Sequence, residues 1–158
     1  MALSIHAWTF AIVMGAASGH GDEGPMHVLL AGRARSVVVA AIAGALQRLD
    51  APSCQRVLTD FADERGRSLA DSLLATGLPL RIYASRLYAV EGDNERACAN
   101  EPVLAFTAPG SHVIHVCSVH FEAISGGMLS AQMTIIHELL HTLGLGENLH
   151  RAPISHGR

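Results

Sequence analysis

The residues best suited to chemistry are histidines, and they are concentrated near one end of the chain. Seven of the ten histidines lie between His112 and His156. Two of them, His137 and His141, stand four residues apart with Glu138 after the first, in the pattern HExxH. On a helix this spacing puts both imidazoles on one face, where they can bind one tetrahedral metal ion while the carboxylate reaches a metal-bound water. The pattern predicts a metal site with its own base.

The surrounding sequence predicts that this motif lies on a buried helix. Ser130 is a candidate N-cap, and a single polar stripe made of Thr134 and the three motif residues remains between apolar positions. Those apolar positions are Met133, Ile135, Ile136, Leu139, Leu140 and Leu143. Buried imidazoles and a buried carboxylate need partners, and a metal ion would satisfy all three. The alternative is a core helix whose histidines only form hydrogen bonds with nearby groups.

The motif resembles the active-site helix of the zincin metallopeptidases. Its longer form, HExxHxxGxxE, is similar to the metzincin pattern, with Gly144 at the turn and Glu147 where that group has a histidine ligand. His150 and His156 are alternative third ligands. Small bacterial zincin-like proteins that end soon after such a helix are a closer likeness than any large peptidase. The resemblance implies an α+β, zincin-like fold with a short mixed sheet and a hairpin packed on the buried active-site helix.

The same resemblance implies zinc-dependent hydrolysis of peptide bonds. It assigns one Zn²⁺ per chain to His137, His141 and Glu147, with Glu138 as general base toward the metal-activated water. It also implies a strand that pairs with a peptide or protein substrate, for which residues 112–119 are the candidate. His115 on that strand could stabilise the oxyanion or contact the substrate, although such a histidine is more often a surface residue. Tyr83 and Tyr88 are further candidate donors, or else core or rim aromatics.

Two other functions stay open. The metal could only stabilise the fold, in a zinc-binding module without turnover. The chain could also be an inactive, truncated relative, because residues 149–158 show little periodic pattern.

Upstream, periodicity and turn residues predict the elements that position the motif. Helices are expected near residues 53–63 and 68–75, and a strand over residues 86–91. Residues 103–107 and 112–119 are β-prone. Ala108-Pro109-Gly110-Ser111 between them suits a type II turn, which predicts a hairpin.

The first 49 residues allow two interpretations. They read as a leader or signal-like segment. A start at Met1 gives an apolar run over residues 7–17 with no Lys or Arg before it. A start at Met26 fits better, because Arg33 and Arg35 precede an apolar run and a small-residue cleavage site at Ala43-Gly44-Ala45. Alternatively, part of this segment is a first core helix, since Val38, Ile42, Ala45 and Leu49 have helical spacing. On the first interpretation the metallopeptidase domain covers residues 50–158.

Cysteine usage and charge restrict the compartment and the partners. A disulfide between Cys98 and Cys117 is favoured, because a hairpin would bring the ends of their connecting segment together; three reduced thiols are the alternative. This favours a secreted or periplasmic protein.

The net charge is −3 and the 11 basic residues are scattered arginines, so nucleic-acid binding has no electrostatic support. No apolar run reaches the roughly 18 residues of a membrane span. We expect a monomer.

Overall fold

A computed structural model describes residues 25–100, 103–124 and 127–146 of the chain. In this part the protein is mixed α+β, with four strands in one sheet and seven helices. The strands are β1 (His27–Leu29), β2 (Tyr88–Glu91), β3 (Ala105–Phe106) and β4 (Val113–Val116). The helices are α1 (Gly32–Leu49), α2 (Pro52–Asp60), α3 (Leu69–Ala75), α4 (Leu80–Ala84), α5 (Arg96–Asn100), α6 (Ser118–Glu122) and α7 (Gly127–Thr142).

The sheet is mixed and has the order β1-β2-β4-β3. Strands β1, β2 and β4 are parallel, and β3 runs antiparallel to β4 at one edge. The expected hairpin is therefore present. In its turn Ser111 N–H donates to Ala108 O over 2.9 Å, and Gly110 has a φ of +76°. A positive φ at the third residue is the feature of the predicted type II turn.

The core lies between one face of the sheet and the helices α1, α6 and α7. Ile114 and Val116 of β4 point into it, and α1 packs extensively on α7. The opposite face is more exposed, with Leu29 and Tyr88 at 63% and 42% exposure. Because alternate residues of a strand point to opposite faces, Val113 and His115 belong to that second face.

Helix α1 contains the stripe that the core-helix interpretation singled out. Val38, Ile42, Ala45 and Leu49 are all buried at 1% exposure or less. Strand β1 and helix α1 thus share a core with elements that come after the predicted boundary at residues 49–50. No single described helix is long and apolar enough to cross a membrane; α1 and α2 meet that criterion only as a pair, bent by 88°.

The helices and strands that the sequence predicts are found in the structure, but three details differ. Helices α2 and α3 occupy the expected segments, with Pro52 in the first turn of α2 and Ser68 capping α3 through Asp71 N–H at 3.0 Å. Ser130, however, is not the N-cap of α7, because that helix begins at Gly127. Strand β4 ends at Val116 and α6 follows at Ser118, where an extended strand was expected. Met133 is 53% exposed rather than buried, because it faces a cleft.

Candidate metal centre

Helix α7 brings the whole predicted polar stripe to one cleft. Thr134, His137, Glu138 and His141 all line a cavity of about 480 Å³. The opposite wall is formed by Ala97 of α5 and residues 103–107, which include β3. His137 is exposed, whereas Glu138 and His141 are 4% and 3% exposed. The motif thus lies at the boundary between core and solvent.

The two imidazoles converge. Their Nε2 atoms are 3.0 Å apart and the ring planes are nearly perpendicular, at 88°. Nδ1 of His141 lies 2.7 Å from the Leu145 carbonyl oxygen, which can only accept a hydrogen bond. The proton of a neutral His141 is therefore on Nδ1, and its Nε2 presents a lone pair toward His137.

This donor pair fits a zinc ion. Two imidazole nitrogens bound at about 2.0–2.1 Å to one tetrahedral zinc lie about 3.3 Å apart, a few tenths of an ångström from the observed separation. Histidine ligands also usually donate their other ring N–H to a carbonyl or carboxylate, as His141 does to Leu145. Without a metal, the same two nitrogens can share one hydrogen bond.

Gly144 shapes the end of α7 that holds this arrangement. Its φ is +102°, and its N–H donates to His141 O while Leu145 N–H donates to Leu140 O. These two bonds form a Schellman motif, which glycine adopts most easily. The turn directs the Leu145 carbonyl back to His141. The predicted role of Gly144 as the turning residue is confirmed, and its visible effect is to orient the second histidine.

Three further contacts hold this turn and helix end. Leu145 forms an isolated antiparallel bridge with Asp63, whose side chain accepts hydrogen bonds from Arg65 N–H, Arg67 N–H and the Arg67 guanidinium. Gly110 N–H, in the β3–β4 turn, donates to His141 O over 2.8 Å. The hydroxyl of buried Tyr83 donates to Thr142, whose carbonyl oxygen lies 2.9 Å away and whose Oγ1 lies 3.0 Å away. None of these partners was identifiable from the motif itself.

The structure does not bring His115 to the histidine pair. His115 lies on the sheet face opposite the core, stacked on Phe106 with ring centroids 4.8 Å apart, and it does not line the cleft. Strand β4 is also internal, because β2 and β3 flank it, so the expectation that it is the substrate-binding edge is wrong. The edge strand beside the cleft is β3.

Tyr83 and Tyr88 also lie away from the cleft lining. Tyr83 is buried against the end of α7, and burial raises its pKa above 10.0 while its hydrogen bond with Thr142 partly offsets that rise. Tyr88 is half-exposed and stacks on His27. Tyr83 is a core aromatic, and Tyr88 is an exposed aromatic on the outer face of the sheet.

The proposed third ligands lie outside the described residues, which reach Gly146 at this end. Glu147, His150 and His156 therefore remain predictions from the sequence. Among the described residues no group of three or more His, Cys, Asp or Glu side chains is arranged to hold a metal.

A scan against protein-family models and searches of curated proteins and of solved structures found no match to this chain. The function is therefore inferred from the residues of the site itself.

Proposed function

We propose that the protein is a zinc-dependent peptidase whose metal is held by His137 and His141, with Glu147 as third ligand and His150 or His156 as alternatives. The observation that carries the proposal is the convergence of the two Nε2 atoms at 3.0 Å, with the proton of His141 held on Nδ1 by a carbonyl oxygen. A pair of metal ligands needs unprotonated nitrogens that point to one place. His141 Nε2 is already unprotonated, and His137 Nε2 becomes so when it releases the proton that it donates to His141.

Glu138 acts as the base. Zinc at this site would supply a Lewis acid and lower the pKa of a bound water toward about 7. The Glu138 carboxylate, one residue after His137 on the cleft wall, accepts the proton of the attacking water and returns it to the leaving amine nitrogen. Its burial removes competing water and so strengthens the interaction of the carboxylate with positive charge.

The substrate is an extended peptide that lies along β3. This strand pairs with β4 on one side, and no described strand pairs with its other side. Residues 103–107 line the cleft, so the unpaired backbone groups of the strand can add a peptide strand there. Val103, Leu104, Phe106 and Met133 make much of the lining apolar, which favours apolar side chains in the peptide.

The disulfide supports an exported protein. Cys98 and Cys117 are joined, with their Cα atoms 5.4 Å apart, as favoured from the sequence, and Cys54 is free. Disulfides persist mainly in oxidising compartments, so we propose a secreted or periplasmic location.

Metal analysis of three purified chains tests the proposal. We expect about one zinc per chain in the wild type, loss of zinc in His141→Ala, and retention of zinc in Glu138→Gln. His27→Ala is the matched control, because His27 stacks on Tyr88 away from the cleft lining. Glu138→Gln should lower kcat/KM on a quenched-fluorescence peptide library by about 10²- to 10⁴-fold.

The outcomes separate the alternatives. Zinc uptake without hydrolysis in the wild type would support the zinc-binding module in place of the peptidase. A folded wild type that takes up no zinc would overturn the proposal and leave α7 as a core helix with hydrogen-bonded histidines.

A further inference from the structure

Asp63 is a buried carboxylate outside the cleft, and it holds a tight turn between α2 and α3, here called the Asp63 turn (residues 62–68). The residue is 5% exposed and does not line the cavity beside α7. Its Oδ1 accepts from Arg65 N–H and Arg67 N–H, and its Oδ2 accepts from the Arg67 guanidinium, each over 2.9 Å. Asp63 N–H also donates to Arg67 O over 2.8 Å, and Gly66 N–H donates to Asp63 O over 2.9 Å. One carboxylate thus fixes the shape of the whole turn.

The Asp63 turn packs against the chain that leaves α7. An isolated antiparallel bridge joins Asp63 to Leu145. The residues on either side of Leu145 are glycines. A Cβ added to Gly144 would lie 3.2 Å from Asp63 Cβ, and one added to Gly146 would lie 3.1 Å from Glu64 Cγ. Because both positions lack a side chain, the turn can approach the Leu145 backbone closely.

The backbone that the Asp63 turn contacts is the one that orients His141. The Leu145 carbonyl oxygen accepts from His141 Nδ1–H over 2.7 Å, which leaves Nε2 directed at His137 Nε2, 3.0 Å away. Leu145 N–H donates to Leu140 O over 3.1 Å, so α7 holds this residue from one side and the Asp63 turn holds it from the other. The acceptor of a ligand's second ring nitrogen fixes the orientation of the ring.

We propose that Asp63 is a positioning residue for the metal site: it holds the Leu145 backbone and thereby keeps the His141 ring aimed at the point that it shares with His137. The inference rests on the proposed zinc peptidase function and deepens it, because it adds a carboxylate that acts on a ligand only through another residue. Loss of a group that orients a ligand typically costs 10- to 100-fold in metal affinity.

The test compares Asp63→Ala, Asp63→Asn and Ser68→Ala. Alanine removes every acceptor that Asp63 provides to its turn, whereas asparagine keeps an oxygen that can accept from Arg65 N–H and Arg67 N–H. Ser68→Ala is the matched control for stability. It removes the N-cap of α3, where Ser68 Oγ accepts from Asp71 N–H over 3.0 Å, at the end of the same turn.

Three readouts separate positioning from stability. They are the Kd for zinc at a temperature where every chain is folded, the visible absorption spectrum of the Co²⁺-loaded chains, and the exchange rate of the His141 Nδ1–H proton in metal-free chains. The NMR signal of that proton is assigned by its loss in His141→Ala. The spectrum reports ligand geometry, and the exchange rate reports the hydrogen bond to Leu145 without any metal.

We expect Asp63→Ala to bind zinc at least tenfold more weakly, to show an altered Co²⁺ spectrum, and to exchange the His141 proton about tenfold faster. Asp63→Asn should stay within about threefold of wild type in affinity and exchange rate. Ser68→Ala should have a lower Tm and wild-type values in all three readouts. If Asp63→Ala does not fold, Arg67→Met replaces it, and this variant should bind zinc about threefold more weakly because one of the three bonds to the carboxylate is lost.

Other results would overturn the assignment. A folded Asp63→Ala, or Arg67→Met in its place, with a lower Tm but wild-type values in the three readouts would show that the carboxylate only stabilises its turn. Equal losses in Ser68→Ala would show that zinc affinity follows general stability. If the wild type binds zinc but cleaves no peptide, the peptidase proposal fails, while the affinity ratio still decides the role of Asp63. If the wild type binds no zinc, the proton exchange rates decide it.

Discussion

His141 shows how backbone groups set the chemistry of one side chain. Its Nδ1 is held by the Leu145 carbonyl oxygen at 2.7 Å, and its own carbonyl oxygen accepts from Gly110 and Gly144. The first contact selects the tautomer, and the other two hold the helix end in place. An imidazole that is 3% exposed and constrained in this way loses little further conformational entropy when it binds a metal.

Gly144→Ala should destabilise the protein and weaken its zinc binding. At φ +102° an alanine is strained, and its Cβ would lie 3.2 Å from Asp63 Cβ, so we expect a loss of about 1–3 kcal/mol in the free energy of unfolding. Gly77→Ala is the control: Gly77 also has a positive φ of +70°, but an added Cβ there meets nothing within 4 Å. Urea denaturation and zinc titration of both variants check this. Equal losses of stability and unchanged zinc affinity would contradict it.

Asp63 should make stability depend on acidic pH. Burial raises the pKa of its carboxyl, but hydrogen bonds from Arg67 and Arg65 together with the Arg67 charge outweigh this and hold the pKa below 3.8. A lowered pKa in the folded state adds stability above the unfolded-state value of about 3.9, and this stability is lost as the pH falls through the folded-state pKa. The free energy of unfolding should therefore decrease below about pH 4 and decrease less in Asp63→Asn. Parallel curves for the two chains, measured in urea between pH 3 and 6, would refute this.

At the scale of elements, β3 depends on few bonds of its own. Only Ala105 and Phe106 pair with β4, and Cys117 N–H adds one bond to Leu104 O. Such a short edge strand has little independent stability. The Cys98–Cys117 disulfide closes a loop that contains β3, so this cleft wall is held covalently as well as by the ladder.

Replacing both Cys98 and Cys117 by serine should cost about 3 kcal/mol of unfolding free energy, since the bond closes a loop with a sequence separation of 19. Cys54→Ser is the control and should stay within about 0.5 kcal/mol of wild type, because Cys54 is free and half-buried on α2. Denaturation under non-reducing conditions measures both. A double variant as stable as Cys54→Ser would show that the disulfide does not stabilise the fold.

At the scale of the whole molecule, α1 packs on α7, the helix that carries the site. The buried stripe of α1 includes Val38, Ala41 and Ile42, all with no exposed surface. Burying a valine and an isoleucine contributes about 1.5–3 kcal/mol each, against a total stability of about 5–15 kcal/mol for a domain of ordinary size. Residues 25–49 thus contribute to the core.

A chain that begins at Leu46 should therefore fail to fold, whereas one that begins at Pro25 should fold. The first lacks β1 and most of α1, and the second keeps every described element. Thermal melts followed by circular dichroism distinguish them, with a cooperative transition expected only for the longer chain. A cooperative transition for the chain that begins at Leu46 would support the leader interpretation with cleavage after Ala45.

Local patterns were enough to predict much of this molecule. The polar stripe of α7, the type II turn at Pro109-Gly110, the Ser68 cap and the Cys98–Cys117 pairing depend on neighbours in sequence or on one hairpin, and all appear in the structure. The N-terminus of α7 was misplaced by four residues, because Ser130 has the chemistry of a cap and predicts a helix from residue 131, whereas it lies within a helix that begins at Gly127.

The sequence by itself determined which side chains could bind a metal and that they share one helix face, because both follow from residue type and helical period. Only the tertiary structure decided that β3 is the edge beside them, that His115 faces away, and that backbone groups of Leu145 and Gly110 hold His141. These are contacts between segments far apart in the chain or between backbone groups. Every residue carries backbone hydrogen-bonding groups, so no pattern of side chains predicts these contacts.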